Sequence, residues 1–160
     1  MPYITVEYII MVPLLILQIF LFPMTANWIM NIWIDSRREL ALQTAASRLA
    51  SSIQQLYFSL NHETVLAGTT TYNPDVPKYI DGYYYTATGQ LQPLSEAEET
   101  NQRLNITLTL IGADIVVKTY VTVGPNVNWV ESSVFVSNST DACILVTKFA
   151  NGSFLFSFGG

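Results

Sequence analysis

Side chains that carry chemistry are scarce in this chain. It has one histidine, His62, and one cysteine, Cys143, in 160 residues. A single cysteine forms no internal disulfide, and one thiol with one imidazole does not make the spaced ligand pairs of a structural zinc site. Cys143 lies in the apolar run 142–146 and reads as a small buried core residue. No G-x-S-x-G, phosphate-loop or dinucleotide fingerprint is present, so the common hydrolase elbow and nucleotide cradles are excluded. A triad on His62 has no nucleophile or orienting acid placed beside it. The reading is a protein that is not an enzyme and needs no cofactor, N-linked glycans aside.

Charge is scarce too. Asp, Glu, Lys and Arg make up 12% of the chain, about half the usual share. The net charge is −5, and from residue 64 onward Lys78, Arg103, Lys118 and Lys148 stand against eight acidic residues. The basic residues do not cluster, so there is no footprint for a phosphate backbone, and nucleic acid is not expected as a direct partner. The polar surface is left to Ser, Thr, Asn and Tyr.

The most informative shortage is local. Glu7 is the only charged side chain in the first 34 residues. A helix of about 20 apolar residues crosses a bilayer, at about 1.5 Å rise per residue. This run is longer than that. A carboxylate inside it costs on the order of 2.5 to 3.5 kcal/mol at mid-membrane, which implies a partner or a function for Glu7. A secretory signal opens on basic residues and ends its shorter apolar core in small ones, and residues 3–31 do neither. A plain transmembrane anchor stays open, with Trp28, Trp33, Arg37 and Arg38 placed to meet the far interface.

The helical pattern does not stop where the apolar run ends. Leu42, Ala46, Leu49, Ile53, Leu56 and Leu60 step by three and four residues along one face, opposite Gln, Ser and Thr. Ala41, Ala45, Ala46 and Ala50 favour helix and permit close approach of a neighbouring helix. Both halves together predict one helix of roughly 57 residues, near 85 Å long. A small domain covers only a fraction of such a rod, so its apolar half needs lipid or copies of itself. Pro13 and Pro23 each remove a backbone donor and are expected to kink or locally unwind it. His62, just past its end, is placed for an imidazolium to meet the C-terminal dipole, a capping role.

After Leu60 the composition changes. Gly68, Pro74 and Pro77 mark the exit into extended and turn structure. Segments 79–88, 105–111, 115–123, 129–136, 144–148 and 153–158 are rich in aromatic and β-branched residues and read as strands. Residues 112–114 and Asn151-Gly152 read as hairpin turns. In 95–99, Ser95 and Glu98 have capping-box spacing for a short helix, and the three carboxylates there are the alternative seat for a cation. Tyr83, Tyr84 and Tyr85 read as strand packing and subunit contacts. The expected fold class is α+β: a long N-terminal helix over 1–61, then an antiparallel β-sandwich head over 62–160. Three glycosylation sequons begin at Asn105, Asn138 and Asn151, all in the head. Asn138 and Asn151 sit at expected turns and are the better acceptors, while Asn105 falls in an expected strand.

The stretch Tyr3-Ile4-Thr5-Val6-Glu7-Tyr8-Ile9-Ile10 resembles the start of mature archaeal type IV pilins, the class III signal peptide family. Those subunits begin with a small hydroxyl residue at the third position and Glu at the fifth. The resemblance makes Tyr3 the first position, Thr5 the third, and Glu7 the glutamate that neutralises the N-terminal amine of a neighbouring subunit. Opposite charges buried together attract strongly, and either alone is heavily penalised, so the pair selects the register between subunits. Arg37 and Arg38 follow the apolar run with nothing basic before it, which by the positive-inside rule puts the head in the cytoplasm. A removed leader carrying Lys or Arg would reconcile them with a head outside the cell, whereas with Met1 as the mature terminus the amine lies two residues farther from Glu7 than the family pattern requires. The implied protein is the subunit of an extracellular pilus-like filament serving surface attachment. It sits in the membrane before assembly, and its partners are its own copies and the pilus assembly machinery. The alternative is a membrane-anchored accessory protein of a surface filament with an extracytoplasmic binding head.

Overall fold

The computed structural model describes residues 3–93 and 101–160, with side chains described from Tyr8 in the first helix. The short helix or cation seat expected at 95–99 lies outside the described residues. Helix α1 spans Tyr3–Leu60. It contains no glycine, and the helical backbone continues through Pro13 and Pro23 without the unwinding expected of them. Two residues past Pro23, the Thr25 hydroxyl donates back to the carbonyls of Leu21 and Phe22, each at 3.0 Å. That turns a polar side chain into an internal partner of an apolar helix.

The chain divides into two compact units, 1–37 and 38–160. Within the second, the α1 stripe Leu42, Ala46, Leu49 and Ile53 is fully buried, joined by Ala45, Ala50 and Tyr57. Leu56 and Leu60, expected on the same stripe, are half-buried at its margin. Ala45, Ala46 and Ala50 belong to the same buried cluster as the inward strand residues, so these turns share one core with the strands.

Eight strands follow among the described residues: β1 Gly68–Tyr72, β2 Tyr85–Pro93, β3 Gln102–Leu110, β4 Ile115–Val123, β5 Val127–Trp129, β6 Val134–Val136, β7 Cys143–Lys148 and β8 Phe154–Gly159. They form two four-stranded sheets, ordered β1-β7-β8-β5 and β4-β3-β2-β6. Every pairing is antiparallel except β5 with β8. The α+β architecture with a β-sandwich is thus as the pattern predicts.

Strand alternation explains the core. In β3, Leu104, Ile106, Leu108 and Leu110 have no exposed surface, and in β8 Phe154, Phe156 and Phe158 point the same way. Burying each such side chain stabilises by about 1.5 to 3 kcal/mol. The indole of Trp129 in β5 edges onto Phe158 at 4.8 Å and lies against Gly89 of β2, where a Cβ would meet its ring carbons at 2.4 Å. Gly89 is the close approach that lets the two sheets meet there.

Two expected strands are broken by turns. Segment 79–88 turns at Asp81-Gly82, whose φ angles of 52° and 85° give a type I′ turn, with Ile80 and Tyr83 bonded across it. Segment 129–136 turns between Val130 and Ser133, and this connection carries the chain from one sheet edge to the other. The turns at 112–114 and Asn151-Gly152 close the β3–β4 and β7–β8 hairpins, with Gly112 and Gly152 at positive φ. The backbone carbonyls at the α1 C-terminus do not receive the His62 ring. Lys148 Nζ donates to the carbonyls of Leu60 at 2.7 Å and His62 at 3.0 Å. The imidazole instead bonds Thr64 Oγ1 at 3.0 Å. Strand β7 delivers a long flexible ammonium to that end, whereas the His62 ring is held by its own local turn.

Candidate assembly surface

The three residues that carry the resemblance, Tyr3, Thr5 and Glu7, lie in the first turns of α1, and their side chains fall outside the described residues. From Tyr8 the surface is described. Every side chain over residues 8–33 is exposed, and none is Asp, Glu, Lys or Arg. Phe20, Phe22 and Met24 each expose 74% of their surface. Mean hydropathy reaches 2.3, so the helix is long and apolar enough to cross a membrane. Its apolar residues surround the helix rather than forming one stripe, the pattern of a helix buried on all sides by lipid or by other protein. At the far end the Arg37 guanidinium lies 4.9 Å from the Trp33 ring centre, a cation–π pair of the kind that suits a membrane interface.

The sequons sit in three different settings. Asn138 is exposed in the turn after β6. Asn151 is exposed at the β7–β8 turn, where its Oδ1 accepts from the Ser153 amide at 3.0 Å and the Ser153 hydroxyl at 2.7 Å. Its carbonyl oxygen is thereby engaged, while its Nδ2 has no such bond to Ser153. Asn105 is half-buried in β3, on the outer face of its sheet, and its Nδ2 donates to Gln92 Oε1 at 2.8 Å.

Other residues singled out in the sequence have structural places. Cys143 is half-buried rather than buried, because the alternation of β7 turns Ile144 and Val146 inward. Its Sγ occupies the space where a Cβ on Gly159 would fall. Tyr85 is buried, donates its hydroxyl to the Pro77 carbonyl at 2.8 Å, and has its phenol pushed up to about 12 by burial. Its backbone amide is received by the buried Ser137 hydroxyl, which itself donates to the Lys78 carbonyl. Tyr83 lies beneath Arg38, and Tyr84 is partly exposed. Among the described residues no group of three His, Cys, Asp or Glu side chains is arranged to hold a metal ion.

Comparison with known proteins returns no matching family model, no matching curated protein and no matching solved structure.

Proposed function

We propose that this chain is the repeating structural subunit of an extracellular filament of the type IV pilus kind, polymerising through α1 and serving surface attachment. The observation that carries the reading is the exposed, charge-free and largely apolar surface of residues 8–33. At roughly 25 cal/mol for each Å² of apolar area removed from water, cover for that surface is strongly favoured. A bilayer supplies it before assembly, and identical helices supply it afterwards. Because each copy presents the same two dissimilar surfaces, rotation with translation generates an open helical polymer.

Within that polymer Glu7 pairs with the N-terminal amine of a neighbour, with Tyr3 and Thr5 in the positions their resemblance implies. The β-sandwich heads form the filament wall outside the cell, where exposed Asn138 and Asn151 are the favoured N-glycan acceptors. The partners are other copies of the chain, the membrane and an assembly machinery.

A second reading, a membrane-anchored accessory protein of such a filament, is favoured by the Trp33–Arg37 pair at the end of the apolar run. Shearing cells and identifying this chain by mass spectrometry separates the two. Recovery in sheared filaments is the expected result, and recovery in the membrane fraction alone overturns it. Glu7→Ala is expected to leave the precursor in the membrane while cutting filament yield. Undiminished filaments in that variant refute the pairing role.

A further inference from the structure

The outer face of the sheet β4-β3-β2 is built in rows by its register. Thr88, Thr107 and Lys118 stand side by side across three strands, the next row is Gln90, Asn105 and Tyr120, and the next is Gln92, Arg103 and Thr122. Burial alternates along each strand, so these side chains all leave the sheet on the side away from the core. Six of these nine side chains, Thr88, Thr107, Thr122, Gln90, Gln92 and Asn105, are hydroxyl or amide groups that both donate and accept hydrogen bonds. One aromatic stands among them. Tyr120 is 61% exposed, with the Arg103 guanidinium 4.3 Å from its ring centre.

The charge on this face differs in sign from the chain as a whole. The outward positions of β2, β3 and β4 carry two formal charges, Arg103 and Lys118, both positive, in a protein of net charge −5. Lys148, another of the basic residues after residue 64, is held at the end of α1. Toward β6, a shallow depression of about 240 Å³ is lined by Thr88, Gln90, Asn105, Thr107 and the carboxylate of Glu131. The face therefore offers cations and an aromatic on the β4 side, and hydroxyls, amides and one carboxylate acceptor on the β2 side. β2 and β4 are two strand spacings apart, about 9.6 Å.

We propose that this face binds a polysaccharide bearing carboxylates, such as a uronic-acid polymer. Tyr120 stacks on the apolar face of a sugar ring, pre-oriented by the guanidinium against it. Arg103 and Lys118 meet the carboxylates, and the Arg103 fork suits bidentate contact. Glu131, Gln90 and Thr107 bond ring hydroxyls in the depression. A flat, amide-rich and hydroxyl-rich face whose one aromatic, Tyr120, stays 61% exposed suits a polyhydroxyl chain better than a protein surface, whose binding energy concentrates in Trp, Tyr and Arg anchors seated in desolvated pockets. Two cations separated by several residues of strand also differ from the dense Lys and Arg that phosphate backbones need. The inference deepens the surface-attachment reading and takes its biological setting from it. Each site binds weakly, and the repetition of a filament multiplies it.

The test uses the full chain in detergent micelles, so that failure to polymerise does not affect the outcome. Retention is measured on immobilised polygalacturonate, on its fully methyl-esterified form and on immobilised polyglutamate. Wild-type protein is expected to be held on polygalacturonate and to lose about tenfold in affinity in Tyr120→Ala and in the double variant Arg103→Gln, Lys118→Gln. Tyr120→Phe, which keeps the ring, is expected to retain binding, and matching thermal melts check that the variants fold. Equal retention on the esterified polymer, on polyglutamate, or in the variants overturns the proposal. A glycan on Asn105 in native material, which would cover the middle row, overturns it as well.

Discussion

Arg38 donates from Nε to Oδ2 of Asp81 at 2.7 Å, and the same guanidinium lies 5.0 Å from the Tyr83 ring centre. Arg38 opens the second compact unit, and Asp81 holds a positive φ in the tight turn that breaks the segment 79–88. The turn thus presents its carboxylate and its aromatic to one helical side chain. Asp81 keeps 57% of its side chain exposed, so screening reduces the ion pair. Each of Arg38→Ala and Asp81→Ala is expected to destabilise by about 0.5 to 1 kcal/mol. A double-mutant cycle followed by denaturant melts measures the coupling. Strictly additive losses would mean that the pair contributes nothing.

The contact of Gly89 with Trp129 predicts a sharper effect. A Cβ at Gly89 meets the indole at 2.4 Å, and Gly89→Ala is expected to cost about 1 to 3 kcal/mol through overpacking. Trp129 Nε1 is buried without a hydrogen-bond partner among the described residues. Trp129→Phe removes that unpaired donor and shrinks the ring, so it is expected to recover most of the loss in the Gly89→Ala background. Thermal melts of the two singles and the double check this, and a double variant as unstable as Gly89→Ala alone contradicts it.

At the α1 C-terminus, the two candidates for the capping role are separable. Lys148→Met keeps the aliphatic stem but removes the bonds to the Leu60 and His62 carbonyls, an expected loss of about 1 to 3 kcal/mol. His62→Ala is expected to lie within about 0.5 kcal/mol of wild type, as exposed substitutions usually do. Amide hydrogen exchange in the last helical turn reads the same difference, with faster exchange in the Lys148 variant. The reverse ranking would return the cap to His62.

Burial of Tyr85 makes stability fall at alkaline pH. Burial pushes its phenol up to about 12 in the folded protein, from the ordinary 10.0. Below pH 10 both states keep the proton, and the group adds no pH dependence. As pH rises from 10 to about 12 the unfolded chain sheds the proton first, so stability is lost across that window, by about 2 to 3 kcal/mol at its top. Tyr85→Phe is expected to cost about 1 kcal/mol at neutral pH, through the lost bond to the Pro77 carbonyl. It is expected to narrow the gap to wild type, or reverse it, by pH 12. Parallel stability curves for the two proteins between pH 9 and 12 would contradict it.

Much of this molecule is legible in local patterns. The Leu42, Ala46, Leu49 and Ile53 stripe, the alternation in β3, β4 and β8 and the hairpin turns at Gly112 and Gly152 all come from periodicity and turn chemistry that act over a few residues. The Asp81-Gly82 turn was equally legible, since Asp-Gly is a strong hairpin dipeptide, but the surrounding tyrosines outweigh it in a reading by strand composition. Strand β1, Gly68–Tyr72, has all five residues exposed and so carries no inward–outward contrast. Its pairing with β7 is invisible to an argument from hydrophobic pattern.

The sequence by itself determined the long helix, its apolar first half with Glu7 as the one charge, the β-rich second half and the places where the chain must turn. These depend on each residue's own preference for water, helix or strand. Tertiary structure decided which strands are neighbours, that β5 runs parallel to β8, that Lys148 rather than His62 closes the helix, and that Arg103, Tyr120 and Lys118 share one face. Such choices join residues tens of positions apart, and many strands with similar apolar faces satisfy the same local pattern equally well. Only packing them into one shared core, with Gly89 small enough to admit Trp129, selects among the arrangements.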